Sequence, residues 1–131
     1  MAFLFEKLRV YQQSLQVADE IRVLLSKPVP GNGAIADQLR RASMSIPLNL
    51  AEGTGRWHPK DKKQFFWIAR GSVNECIPLL RLAVNQDMIS PLEYARFCSS
   101  LDLIGKMITR LIVSVENNSK IKTPTRQDID D

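Results

Sequence analysis

The feature that most constrains this chain is the spacing of its apolar residues, which recur every three or four positions along four long segments. That spacing places apolar side chains on one face of a helix. The last segment keeps the strictest register: Tyr94, Phe97, Leu101, Ile104, Ile108, Leu111 and Val115. Such a seam favours the packing of helical bundles. We therefore expect an all-α fold, an antiparallel up-down-up-down four-helix bundle.

The first helix is predicted from Leu8 onward, and its apolar surface is wide. Two rows of apolar residues together cover about half of its circumference. The main row and then the second row are Leu8, Tyr11, Leu15, Ala18, Ile21 and Leu25, then Val10, Val17 and Leu24. One antiparallel pair of neighbours does not normally bury so much. Either this helix is centrally packed, or part of the surface contacts another subunit.

Prolines and glycines mark the connections. The stretch "SKPVPGNG" ending at Gly33 is predicted to be a loop, and the second helix to start at about Ala34. Its expected buried stripe is Ile35, Leu39, Ala42, Ile46, Leu50 and Gly53. Pro47 lies inside this helix and predicts a kink, with a break in the helix as the alternative.

The third helix is expected to begin after His58, because Pro59 suits a first helical position, and Pro78 predicts a second kink. Its expected core residues are Phe65, Ala69, Ser72, Cys76, Leu79 and Ala83. Ser90 is the natural N-cap of the fourth helix, with Pro91 following it.

The chain is predicted to form one folded domain over residues 1–118 and a disordered tail over residues 119–131. From Glu116 onward the sequence has little to bury. No apolar run is long enough to cross a membrane, and the N-terminus meets an acid too early for a secretory signal. We therefore expect a cytoplasmic protein that does not enter a membrane.

The sequence argues against an enzyme and against a metal or cofactor site. Cys76 and Cys98 are far apart and are expected to be buried free thiols. A di-iron bundle needs Glu-x-x-His pairs, and His58 is the single histidine of the chain. Gly53 and Gly55 follow a helix rather than a strand, so they predict a tight helix end and close backbone approach, not a phosphate loop.

Positive charge is concentrated in the folded part of the chain. Through residue 115 there are fifteen Lys and Arg against ten Asp and Glu, within a total formal charge of +4. Six cations are the candidate ligands for nucleic acid: Arg40, Arg41, Arg56, Lys60, Lys62 and Lys63. Aromatic residues lie among them, and such a mixture can hold single-stranded or looped RNA. A solvated basic face remains the alternative. Phe65 is assigned to the core, which leaves Trp57 as the aromatic candidate for a ligand.

A polar row accompanies the buried stripe of the second helix, with a counterpart on the third helix. The five residues are Ser45, Asn49, Glu52, Ser72 and Glu75. Because a buried polar group without partners is costly, we expect an interhelical hydrogen-bond network that fixes the register of the two helices.

Three segments in order, "FEKLRVYQQS", "QLRRASMSIPLNLAEGTGR" and "FFWIARGSVNE", resemble the bundle family of the 23S rRNA intervening-sequence proteins over about residues 3 to 115. The positions that match its pattern are Ser45, Asn49, Glu52, Gly53, Gly55, Arg56, Ala69, Ser72 and Glu75. Trp57 and His58 depart from it, because small polar residues are usual there. The resemblance implies a bacterial antiparallel bundle, commonly a homopentamer with a central channel. It implies no established activity, although related bundles bind nucleic acid and a reverse transcriptase.

The sequence thus predicts a non-enzymatic, oligomeric bundle that binds RNA or another nucleic acid by neutralising phosphates, with the contacts multiplied over subunits. The alternative is a protein-interaction scaffold or assembly factor that does not bind nucleic acid.

Overall fold

A computed structural model describes residues 3–27 and 33–122 of the protein, and over these ranges the chain is helical without strands. A short 3₁₀ helix over Leu4–Lys7 precedes four α-helices: α1 Arg9–Leu24, α2 Gly33–Thr54, α3 Pro59–Asn85 and α4 Pro91–Lys122. Each α-helix packs on its neighbour in sequence, and α1 also contacts α4, which closes the bundle. The predicted all-α four-helix bundle is confirmed.

One core runs through the bundle and is built from one face of each helix. Its largest fully buried side chains include Ile21 of α1, Leu39 of α2, Phe66 of α3 and Phe97 of α4. The predicted seam of α4 is confirmed at its centre, where Leu101, Ile104 and Ile108 are buried.

The wide apolar surface of α1 is only partly used. Val17 and Ile21 are buried, but Leu15 and Val23 remain exposed. Of the other three α-helices, α1 contacts only α2 and α4. Central packing of α1, the first of the two alternatives, is therefore wrong. The second alternative, a contact with another subunit, stays a prediction.

The helix ends follow the predicted chemistry. Pro59 is at the start of α3. The Ser90 hydroxyl accepts a 3.0 Å hydrogen bond from the Glu93 amide, while the Ser90 amide donates to the Glu93 carboxylate at 2.9 Å. This reciprocal pair is a capping box, and the hydrogen bond from the Ser90 amide holds the pKa of Glu93 below its usual value. The predicted N-cap of α4 is confirmed.

Neither internal proline interrupts its helix. Helix α2 is continuous through Pro47 and α3 through Pro78, so a break at Pro47 is wrong. The helical residues on both sides of each proline stay packed in the bundle. This packing offsets the loss of one backbone hydrogen-bond donor at the proline. Residues 28–32, in the predicted loop, lie outside the described residues.

Phe65 is not the core residue predicted from the spacing. It is half-buried, whereas Phe66 is 2% exposed. Adjacent aromatic residues differ by only 100° around a helix, and contact with α2 decides which of them points inward.

That contact is made by Gly53, a buried residue in the last turn of α2. A Cβ atom at this position would lie 2.5 Å from Cε1 and 2.8 Å from Cδ1 of Phe66, and 3.1 Å from the carbonyl oxygen of Lys62. Only a residue without a Cβ lets the Phe66 ring lie against the α2 backbone. The predicted close backbone approach is confirmed at Gly53.

Helix α4 continues past Glu116, from which the sequence has little to bury, as far as Lys122, beyond the predicted start of the tail at residue 119. A helix adds polar residues such as Asn117 and Asn118 at low cost once its earlier turns are packed. Residues 123–131 lie outside the described residues, so the domain boundary at residue 118 and the disorder of the tail stay predictions.

Replacing Gly53 by Ala is expected to destabilise the protein by about 1–3 kcal/mol, because the added methyl group overpacks a buried contact. Gly71→Ala is the matched control, since nothing lies within 4 Å of a Cβ at this exposed helical position. It should stabilise the protein by roughly 0.5–1 kcal/mol through backbone entropy. Urea unfolding followed by circular dichroism measures both changes. Equal effects of the two substitutions would contradict the packing role of Gly53.

Candidate nucleic-acid interface

The six candidate cations lie in two groups on α2 and α3. Arg56, Lys60, Lys62 and Lys63 surround the connection between these helices, and we call these four residues the basic corner. The pair Arg40–Arg41 lies on α2, 14 and 13 residues before Thr54, where this helix ends. At 1.5 Å per residue the pair is roughly 20 Å from the end of α2 at the corner. The fold therefore brings four of the cations together and keeps the other two apart.

Lys62 is committed to the backbone. Its Nζ donates to the carbonyl oxygen of Thr54 at 2.9 Å and approaches that of Gly53 at 3.5 Å. These carbonyls end α2, where a cation offsets the negative end of the helix dipole. Partial burial lowers the pKa of Lys62, because desolvation disfavours the ammonium. Lys62 thus links the end of α2 to the first turns of α3.

Arg56 is held between two side chains. Its guanidinium lies 4.6 Å from the centroid of the Phe65 ring and pairs with the Glu52 carboxylate at 3.2 Å. Both charged side chains of the pair remain about half exposed, so a phosphate can displace this pairing at low cost. Phe65 does not lie in the core, and its ring instead positions the Arg56 guanidinium.

Two further cations have acidic partners. Lys63 pairs with Glu116 of α4 at 3.6 Å, and Arg40 pairs with Asp37 at 2.9 Å. Arg40 also donates to the carbonyl oxygen of Leu25 at 3.0 Å, which joins α2 to the end of α1. These contacts give both residues a structural role.

Arg41 and Lys60 differ from the other four candidates. Both are exposed, and within residues 3–27 and 33–122 neither has an ion pair or a side-chain hydrogen bond. A phosphate that binds them displaces no protein partner. Of the six candidate cations, these two therefore bind an anion at the lowest cost in free energy.

The polar row is divided between the helix interface and the surface. The Ser72 hydroxyl donates to the Ser45 hydroxyl at 2.8 Å across α2 and α3. The Asn49 amide donates to the Ser45 hydroxyl at 2.9 Å. Glu52 and Glu75 are exposed and lie outside this network, and Glu52 pairs with Arg56 on its own helix. The two carboxylates were predicted to join the network, and they do not. Each stays at the surface, where it keeps its hydration.

Residues that sequence reasoning missed lie beside the corner. Phe3, Leu4 and Phe5 pack at the same end of the bundle, together with the last turns of α4. Trp57 is 88% exposed on this end. The adjacent apolar residues Phe3–Phe5 were a visible signal, but their place beside α2 depends on the 3₁₀ helix.

Neither thiol is disulfide-bonded. Cys76 is buried, and its burial raises the pKa to about 12, with Glu75 adding to the shift. Cys98 is only half-buried, which corrects the expectation for this residue.

In the described ranges no three His, Cys, Asp or Glu side chains are grouped to hold a metal ion. Of the helices that the structure describes, none combines the length and apolar character needed to cross a membrane.

Ser72→Ala is expected to lower the free energy of unfolding by about 0.5–1.5 kcal/mol, because it removes the interhelical donor to Ser45. Glu52→Ala should change it by less than about 0.5 kcal/mol, because its pair with Arg56 is solvated. Thermal and urea unfolding measure both. A larger decrease for Glu52→Ala would return this residue to the network. An unchanged melt with abolished binding would place Glu52 on a functional surface.

Comparisons with known proteins agree with the geometry. A solved structure from the S23 ribosomal protein family of Bacteroides thetaiotaomicron, described as a protein of unknown function, is 24% identical to this chain with a TM-score of 0.73. The match covers 79% of this chain and 97% of that chain and supports the fold. No curated protein matches. The model of the family described as "23S rRNA-intervening sequence protein" matches residues 6–110. The chain therefore belongs to the 23S rRNA-intervening sequence protein family.

Proposed function

We propose that this protein is a non-enzymatic, oligomeric bundle that binds RNA or another nucleic acid through the basic corner and the Arg40–Arg41 pair. The observation that carries the proposal is the state of Arg41 and Lys60, which are exposed and have no partner in the part of the chain that the structure describes. Unpaired cations attract phosphates without first breaking an ion pair. A cytoplasmic location, where ribosomal RNA is found, belongs to the same proposal.

The two groups of cations fit an extended anion better than a small one. The stretch of α2 between them is roughly 20 Å long and spans several successive phosphates of a nucleic-acid strand. A single phosphate metabolite cannot contact both groups. A nucleic acid can, and the name of the family makes a fragment of 23S rRNA the natural first probe.

Within each group, the cations divide the work. Arg41 and Lys60 supply charge for phosphates, and Arg56 joins them by leaving Glu52 while it remains stacked on Phe65. Arg40, Lys62 and Lys63 keep their structural contacts and add to the local positive potential.

Assembly would multiply these contacts. Exposed apolar side chains on α1 and α2, Leu15, Met44 and Leu48, surround a groove of about 290 Å³ between the two helices. Exposed apolar patches favour protein contacts. A homo-oligomer, with the pentamer that the family resemblance implies, would present several copies of each weak phosphate site to one nucleic acid and so raise the avidity.

The same apolar groove favours the alternative function, a protein-interaction scaffold that does not bind nucleic acid. The two functions differ in their response to salt. Phosphate contacts release counterions, so nucleic-acid binding must weaken steeply as salt increases, whereas salt does not weaken apolar contacts in this way.

The test is fluorescence anisotropy of a labelled, structured 23S rRNA fragment, titrated with the full-length protein at several salt concentrations. We expect log K to fall linearly with log salt. The double variant Arg41→Ala, Lys60→Ala should bind more weakly and lower the magnitude of the salt slope by about one for each phosphate that is no longer neutralised. Lys62→Met should instead reduce stability, because it removes the cation at the end of α2.

Arg110→Ala is the matched control, because Arg110 is exposed and lies on α4, which does not contact α2. It removes one positive charge from a helix that carries none of the six candidate cations and should leave the salt slope unchanged. Absence of binding at low salt, or equal weakening by the control and the double variant, would reject the proposed interface and favour the scaffold.

A further inference from the structure

One end of the bundle has an open cleft beside the basic corner, lined in part by Arg56 and Lys62. It lies where the 3₁₀ helix, the end of α2, the start of α3 and the last turns of α4 meet, and we call it the end cleft. Its volume is about 1000 Å³, at the upper limit of small-molecule sites. Phe3, Phe5 and Trp57 line it together with Val115.

The aromatic residues of the end cleft present flat surfaces to solvent. The rings of Phe3 and Phe5 are stacked with centroids 5.7 Å apart and planes within 5°. Phe5 is anchored by an edge contact with Tyr11 at 5.0 Å, while Phe3 remains 64% exposed. Trp57 is more exposed still. An indole ring left in water, lining the same cleft as two other aromatic rings, is typical of a stacking surface rather than of a core.

The charge around the end cleft is positive. Arg56 and Lys62 line it, and Lys60 follows the lining residue Pro59. Among the described residues that line the cleft, none is acidic. Lys62 is held by the carbonyl oxygen of Thr54, whereas Lys60 is exposed and has no hydrogen-bond or ion-pair partner among the described residues. The cleft therefore suits a ligand that is aromatic and carries negative charge close to the ring.

We propose that the end cleft binds an unpaired nucleobase of the nucleic-acid partner, stacked on Trp57, with an adjacent phosphate at Lys60. This inference rests on the proposed function and deepens it by naming the form of nucleic acid preferred. A base within a duplex shields both faces by stacking on its neighbours and cannot enter the cleft. The protein then selects single strands, bulges and loops over continuous duplex.

Charge argues against the end cleft of a second copy as the occupant. A symmetric contact of two end clefts would bring the same lining cations, Arg56 and Lys62, towards each other, and like charges at an interface are unfavourable. A nucleotide supplies the aromatic ring and the opposite charge together.

The experiment uses the full chain with Trp67→Phe, which leaves Trp57 as the sole tryptophan. Trp67 is exposed on α3 and does not line the end cleft. Trp57 fluorescence is followed while the protein is titrated with a single-stranded RNA oligonucleotide or with a blunt duplex of the same sequence. Quenching by the single strand and not by the duplex is expected. Acrylamide should quench Trp57 freely before RNA is added and less afterwards.

A second measurement compares affinities by anisotropy. Trp57→Ala should weaken binding of the single strand by roughly 5- to 150-fold, the range expected for removal of one base stack, and leave binding of the duplex unchanged. Trp57→Phe should restore most of the affinity. Leu92→Ala is the matched control, since Leu92 is 80% exposed at the opposite end of α4 and its replacement should change neither affinity.

The outcomes separate the two proposals. Salt-sensitive binding of both probes that Trp57→Ala does not weaken overturns the end-cleft proposal and leaves the phosphate interface standing. If neither probe binds, both proposals are overturned. Trp57 that is shielded from acrylamide in the free protein, or a change of oligomer mass on Trp57→Ala, assigns the end cleft to a protein contact and overturns the base-binding proposal.

Discussion

The contact between Gly53 and the Phe66 ring is the constraint on which the candidate interface depends. Because residue 53 has no side chain, the last turn of α2 lies directly against a fully buried ring of α3. The chain must then turn within a few residues, which places Arg56 and Trp57 on the outside of the corner. It also brings Lys62 within hydrogen-bond distance of the carbonyl of Thr54. Further along the same pair of helices, the hydrogen bond between Ser45 and Ser72 fixes the register at a second point.

This packing explains why cations of one short segment have different roles. Lys62 and Lys63 lie within reach of groups they can bind, a helix end and the carboxylate of Glu116. Lys60 precedes them by less than one turn and faces solvent. A basic segment that looks uniform in sequence is therefore divided by the fold into residues that stabilise the corner and residues that remain available to an anion.

The four helices and two of their starts were predictable because they depend on local rules. The spacing of apolar residues indicated each helix, and Pro59 and Ser90 marked two starts that the structure confirms. The core position of Phe66 was missed, because Phe65 and Phe66 both lead to Ala69 at a helical spacing of four or three residues, and the absence of a Cβ at Gly53 decides between them. The pairing of Glu52 with Arg56 was readable as a four-residue spacing. The role of Lys62 and the end cleft were not, because both depend on how separate elements meet.

The central claim is that nucleic acid binds the corner between α2 and α3 and the adjacent surface of α2. Hydrogen exchange measured by mass spectrometry on the full chain, with and without a structured ribosomal RNA fragment at low salt, tests it directly. We expect slower exchange in the presence of RNA at residues 54–64 and around Arg41, and no change at residues 91–100 at the opposite end of the bundle. Protection confined to α1 and α4, or to residues 91–100, would contradict it.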